Sequence, residues 1–386
     1  MLRRFLLLLP VLLVIVNSRP IYSQEITLQT LFTMDLRDLA SVEFTVASTK
    51  PETLTATPAI VSRYDTSELE HLGLRSLKDI LSFIPGFNLQ DTSLGDTSVM
   101  VRGVAEAFNQ KVLFLLDDVP YWMPSHSAIP LLGIPISSIE SVEVIRGPGA
   151  VIYGSNAATA VIKVITKRSG ENRLAFSASA NNHTNLNLYY RFDLGDKGQL
   201  GFAFETQNND GYPGEHIDAP IPPAYSMPIP PATRGFIDKP EDFTSFSANY
   251  RRENLHIGLQ THSSGSNGLA GFASVENQSS LNYEGYLLNL NNSWQLGKTD
   301  LKVFADYNEF YLSIPLRNHP LEGGDALFQF DKDGSDNYRW RVGSTAEHTI
   351  NPNLSVLLGV ETEKRSTGNY QILSQPSGSA IATMVP

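Results

Sequence analysis

From Gly170 onward, apolar and polar residues alternate in blocks separated by turn residues. In Leu186 to Leu194, the positions Leu186, Leu188, Tyr190, Phe192 and Leu194 share one parity, and Asn187, Arg191 and Asp193 take the other. The same period-2 pattern runs through Leu174 to Ala180, Leu200 to Thr206, Thr244 to Tyr250, Leu255 to Thr261 and Tyr286 to Trp294. It continues through Leu301 to Tyr311, Asn337 to His348 and Leu354 to Lys364. Successive side chains of a strand point to opposite faces, so each block predicts a strand with one apolar and one polar face. The connections alternate in length as well. Those at Gly195 to Gly198, Arg252 to Asn254, Leu296 to Thr299 and Asn351 to Asn353 are short. Those at Asn208 to Asp242, Ser263 to Asn282 and Leu312 to Asp336 are long, and only the first, at Asn181 to Asn185, breaks the order. A soluble sandwich has no reason to alternate its loops this way. A transmembrane β-barrel does, with short periplasmic turns, long outer loops and strands of about ten residues.

The front half is patterned differently. Arg3 and Arg4 precede the apolar run Phe5 to Val16, which is too short for a spanning helix of about 20 residues and reads as a signal peptide. A cut after Ser23 is expected, giving residues 1–23 as the leader. Residues 24–50 read as an extension with little regular structure. Residues 51–169 read as a compact α+β domain. Within it Ala59 to Tyr64 is a predicted strand, and Asp65 with Glu68 has capping-box spacing for a short helix ended by Gly73. Ser76 and Asp79 repeat that spacing ahead of Leu77, Ile80, Leu81 and Ile84, which share one helical face before Pro85-Gly86. Val99 to Gly103 and Val112 to Leu116 are further strands, the second running into Asp117-Asp118.

Ile139 to Lys167 reads IESVEVIRGPGAVIYGSNAATAVIKVITK, two β-branched runs around a Gly-rich middle. Read by itself it is two strands joined by a crossover. A phosphate-binding reading fails, because Asn156 stands where a P-loop needs Lys and Ile152 where a dinucleotide fingerprint needs Gly. The segments Ile139 to Gly149, Tyr153 to Ala158 and Val161 to Lys167 together resemble the end of the plug domain of TonB-dependent outer-membrane receptors. Leu77 to Phe87 and Val99 to Gly103 are similar to two further plug elements. Asp118 departs from the Asp-Gly usual in such plugs, but aspartate tolerates left-handed backbone, so the hairpin is expected to survive.

The resemblance implies an α+β plug domain followed by an antiparallel transmembrane β-barrel segment, residues 170–386, of about nine strands. Receptors of this class have about 22 strands. Nine leave unpaired edges in lipid, so the chain is expected to be the front part of a longer receptor. The implied function is energy-coupled uptake of a scarce nutrient such as a ferric siderophore, haem or cobalamin. The alternatives are a non-transporting fragment and a secreted β-rich binding module. The implied partners are a TonB-type energy-coupling protein in the periplasm, outer-membrane lipid and a small-molecule or metal-chelate substrate.

Four groups of residues are candidates within that reading. Val42-Glu43-Phe44-Thr45-Val46-Ala47-Ser48 resembles the TonB box, and its alternation suits strand addition to a partner's sheet. An ordinary edge strand is the other reading, and Glu25 to Leu28 is a second candidate for the box. Arg102, beside Gly103, and Arg146, beside Gly147, are candidate latches between plug and wall through Glu140 or Glu143, or else solvated arginines. Gly149 and Gly154 belong to the plug motif. Tyr212, Tyr225, Arg234 and Phe236 in the Pro-rich connection form a candidate ligand loop, or a rigid exposed loop.

Composition narrows the chemistry. The formal charge of −11 becomes more negative without the leader, which holds Arg3, Arg4 and Arg19 and no acid, so nucleic-acid binding is not expected. With no cysteine, neither disulfides nor thiolate metal sites form. His256 and His262 share a strand face but lie about 20 Å apart at the usual rise, too far to chelate one metal. Asp117-Asp118 reads as a turn rather than a general-acid pair, and no nucleophile-elbow motif is present. Neither an enzyme nor a bound cofactor is expected.

Overall fold

The computed structural model describes residues 43–44, 52–53, 61–70, 72–91, 97–104, 109–125, 127–147, 156–168, 170–180, 182–211, 214–217, 234–237, 240–267, 280–319, 324–330, 337–351, 354–367, 370–376 and 382–384. The expected leader and most of the extension lie outside them.

Between residues 61 and 166 the chain forms a mixed sheet of five strands. They are β1 (Val61–Asp65), β4 (Val112–Leu116), β5 (Val119–Pro120), β6 (Ile139–Arg146) and β7 (Ala160–Thr166), in the order β1-β6-β7-β4-β5. β4 lies parallel to β7, while β1 with β6 and β6 with β7 are antiparallel. Every residue of β4 is buried, as a continuous apolar run in the middle of a covered sheet requires. Ser76 caps α2 (Leu77–Phe83), following the shorter α1 (Thr66–Glu70), and both halves of the capping box with Asp79 are made. Leu77, Ile80 and Leu81 turn inward, and Ile84 ends the helix in extended backbone ahead of Pro85. A hairpin follows from β2 (Phe87–Asp91) to β3 (Thr97–Val101). The strand β2 is not visible in the sequence, because Phe87 and Leu89 alone make no period.

Asp117 and Asp118 sit at φ 47° and 71° between the paired residues Leu116 and Val119. A two-residue turn with both central residues at positive φ matches the twist of the strands it joins. The hairpin therefore survives its second aspartate, as expected.

Among the described residues after 170, nine long strands, each antiparallel to the next, form a wall within a twelve-stranded sheet. They are β8 (Arg173–Ser179), β9 (His183–Asp193), β10 (Gln199–Asn209), β11 (Glu241–Arg252), β12 (Leu255–Asn267), β13 (Ser280–Leu296), β14 (Thr299–His319), β15 (Tyr338–Asn351) and β16 (Leu354–Ser366). Among the described residues the wall does not close, since β8 and β16 are not paired with each other. The short turns fall at the expected places. At one of them Gly198 has φ +99°, and a Cβ there would strike the Arg251 carbonyl.

The strands overrun their predicted ends. β14 extends well beyond Tyr311, and its last part pairs with Gly324–Phe330, which pairs in turn with Tyr370–Pro376. Gly214–Ile217 pairs with Arg234–Ile237 inside the Pro-rich connection. The long connections thus contain strands of their own. Their residues lack a steady apolar parity, so hydrophobic alternation is silent about them.

The wall is inside-out relative to a soluble sheet. Asn185, Asn187, Glu205, Ser245, Ser247, Gln260, Asn289, Asp306, Asn308 and Arg339 are buried, and Glu205, Gln260, Asn308 and Arg339 bond to the plug. Leu288, Leu290 and Val342, on the opposite parity, are exposed, Leu288 at 53%. A surface of that kind is stable against hydrocarbon rather than water.

Candidate functional site

The plug meets the wall through the β4–β5 turn and the segment after it. The Asp117 carboxylate accepts the Thr166 amide at 2.9 Å, the Thr166 hydroxyl at 2.5 Å and the Arg251 guanidinium of β11 at 3.2 Å. Arg251 also donates to the Lys167 carbonyl at 3.0 Å, so one wall arginine holds the end of β7 and the turn together. His256 Nε2 lies 3.8 Å from Asp117 and 2.9 Å from the Asn249 side-chain oxygen. The neighbouring Asp118 contacts Lys163 of β7 at 2.5 Å and Lys302 of β14 at 3.1 Å.

Desolvation opposes ionisation of both aspartates, and their cationic neighbours outweigh it. Arg251 and His256, with hydrogen bonds from Thr166, hold Asp117 below the usual carboxylate range. Lys163 and Lys302 hold Asp118 well below it. Carboxylates depressed in the folded state add stability that is present above their unfolded value, about 3.9, and is lost as pH falls through the folded value. Plug–wall contact, followed by Trp122 fluorescence, should therefore hold at pH 5 and weaken only in stronger acid. Asp117→Asn together with Asp118→Asn should flatten that acid limb.

Beyond the turn, the Pro120 carbonyl accepts from Asn308 at 3.1 Å and from Arg339. The Tyr121 hydroxyl meets His262 Nδ1 at 2.9 Å, and its ring packs on Phe310. Burial pushes the Tyr121 phenol far up, so it stays neutral. The Trp122 ring has Arg339 at 5.3 Å and Arg365 at 5.0 Å, both within cation–π range. Gly133 lies so close to His262 that a Cβ would sit 2.7 Å from the ring, and its carbonyl accepts from Gln260. Glu205 accepts the Ile136 amide at 2.7 Å, and Ser137 donates to the Leu188 carbonyl at 3.2 Å.

At the end of the wall with long connections, Lys78 of α2 pairs with Glu241 at 2.8 Å. There a cavity of about 60 Å³ opens between plug and wall, lined among others by Met123, Leu131, His262 and Tyr283. β11 thus grips the plug at both of its ends, through Glu241 and Arg251.

Arg102 is exposed at φ 52°, its amide bonded to the Gly86 carbonyl, and Gly103 follows at φ 79°. Glu140, Glu143 and Arg146 have partners inside the plug. Arg63 of β1 reaches Glu143 at 3.0 Å and Glu140 at 3.7 Å. Arg146 donates to the Ser62 hydroxyl and the Pro85 carbonyl. The Gly147 amide donates to the Thr159 carbonyl at 3.0 Å. Glu43–Phe44 forms a two-residue strand paired with Glu52–Thr53. Arg234 and Phe236 lie on the short strand paired with Gly214–Ile217. Val42, Thr45, Val46, Ala47, Ser48, Gly149, Gly154, Tyr212 and Tyr225 lie outside the described residues.

The wall contacts fall on residues that motif reading passed over, among them Arg251, Lys302, Glu205 and Arg339. Parity held the signal, because each is a charged residue on the inward parity of its strand.

Comparison with known proteins places this geometry. Residues 53–161 match the family model described as TonB-dependent Receptor Plug Domain. The vitamin B12 transporter BtuB of Vibrio vulnificus (strain CMCP6) is 31% identical over 232 residues, covering 55% of this chain and 37% of that protein. The vitamin B12 transporter BtuB of Vibrio cholerae serotype O1 (strain M66-2) is 29% identical over 158 residues, 40% of this chain and 25% of that protein. Among solved structures, the ferric yersiniabactin uptake receptor FyuA from Yersinia pestis superposes with a TM-score of 0.57 at 14% identity, over 86% of this chain and 51% of that one. The siderophore receptor PiuA from Acinetobacter baumannii gives 0.56 at 11% identity, over 86% and 49%.

Residues 53–161 are therefore a plug domain of the TonB-dependent receptor family, and the wall after them has the fold of part of such a receptor's β-barrel. The chain spans 37% of the Vibrio vulnificus relative and about half of these solved receptors.

Proposed function

We propose that the protein acts in the outer membrane as a receptor for energy-coupled import of a scarce nutrient, with cobalamin as the first substrate to test. The observation that carries this reading is the inside-out wall with a plug held against its polar face. Such a plug blocks the lumen until something displaces it. Displacement needs a handle on the plug's N-terminal side, and Val42 to Ser48 is the proposed grip for a TonB-type protein. Strand addition supports that role, since an extended segment offers open backbone groups to a partner sheet. Cobalamin comes first because the relatives near 30% identity are named vitamin B12 transporters. Ferric siderophores and haem are the other arms of the test.

The experiment is uptake of labelled cobalamin, ferric siderophore and haem at limiting concentration. It compares cells with the gene intact, cells with the gene deleted, and cells lacking the TonB-type protein. Loss of cobalamin uptake in both mutants is expected. Loss of one of the other two ligands instead would move the substrate assignment, and unchanged uptake of all three would remove the transport reading.

A further inference from the structure

One row of charges crosses β1, β6 and β7 of the plug sheet and continues at the β4–β5 turn. Arg63 on β1 stands opposite Glu143 on β6, and Glu143 stands opposite Lys163 on β7. Directly opposed residues share a face with Cβ atoms about 5 Å apart. Arg63 contacts Glu143 at 3.0 Å, Lys163 contacts Asp118 at 2.5 Å, and Asp118 contacts Lys302 of the wall at 3.1 Å. The signs alternate from end to end: plus, minus, plus, minus, plus. The two inner members are the most deeply buried, Glu143 at 0% and Lys163 at 5% exposure. A buried charge depends on its neighbours for compensation, so removing one member leaves the next poorly balanced. The first member lies on the first strand of the plug sheet, and the last lies on the wall.

We infer that this five-residue ladder is the plug's release device: withdrawing Arg63 with β1 loosens the tie between Asp118 and Lys302 and frees the β4–β5 hairpin from the wall. With Arg63 gone, Glu143 draws Lys163 toward itself and away from Asp118. Asp118 is then held by Lys302 alone, a pair that is half exposed and weak by itself. The direction of the pull rests on the import reading, but the coupling between the two ends does not.

The test is hydrogen–deuterium exchange on the full chain in lipid, reading the amides of residues 112–119 and of β1. Arg63→Met should speed exchange at 112–119 by about 10-fold, within the range of direct coupling in one charged network. Lys302→Met should speed it too, and the double variant should exchange no faster than Lys302→Met alone. Arg63→Lys, which keeps the charge, should stay near the parent. Asp118→Gly provides a second route if Arg63→Met does not fold, because glycine keeps the positive φ of the turn. Coupling is reciprocal, so Asp118→Gly should speed exchange in β1 as well. Acceleration confined to β1 in Arg63→Met, effects of Arg63→Met and Lys302→Met that multiply, or unchanged β1 protection in Asp118→Gly would each overturn the inference. No uptake is measured, so failure here leaves the transport reading standing, and loss of that reading leaves the exchange result intact.

Discussion

Arginine in place of Leu288 is expected to cost the assembled wall about 2–4 kcal/mol, the range for a cation near the middle of a lipid-facing strand. Leu288 is central in β13 and 53% exposed. Its cross-strand partners Leu259 and Tyr307 are also exposed, so this face is apolar and open over three strands. In water such a face gains little from a leucine, and an arginine would be tolerated. In lipid the guanidinium must be desolvated or dragged to the interface. The measurement is urea unfolding from lipid vesicles, with the same substitution tested in detergent at high salt as a check on folding. A Leu288→Arg chain as stable in vesicles as the parent would show that the face does not meet hydrocarbon. The inside-out reading of the wall would fall with it.

Phe114→Ala is expected to destabilise the plug by about 3–5 kcal/mol, the usual cost of emptying an aromatic site in a packed core. Phe114 lies in the middle of β4 with no exposed surface. Its cluster joins Leu77, Ile80 and Leu81 of α2 to Ile162 of β7 and reaches Leu287 and Phe310 of the wall. A loss of that size is a large part of a typical domain's 5–15 kcal/mol. It should appear as plug release at lower urea, read by Trp122, the one tryptophan that precedes the wall. A shift worth less than about 1 kcal/mol would mean that the sheet and the wall do not share a core.

Much of the architecture is legible along the chain because it rests on short-range periods. Period-2 alternation located all nine wall strands and, for the strands between the first and the last, the face that is buried, since a lipid-exposed wall must sort its residues by parity. Capping-box spacing located the helix at Ser76, because its hydrogen bonds close within three residues. The Gly-rich segment around Arg146 marked the plug for the same reason, as turn chemistry is local.

What pairs with what depends on folding the sheet and seating it on the wall. Arg63 and Glu143 are 80 residues apart, and Asp118 and Lys302 are 184 apart. No local pattern links them, and only register brings them together. For the same reason Glu140, Glu143 and Arg146, conspicuous in the sequence, find their partners within the plug, while unremarked residues such as Arg251 and Glu205 hold the wall. Periodicity determines which face a side chain occupies, and the tertiary structure decides which charge it meets there, because electrostatic pairing acts across space and is indifferent to distance along the chain.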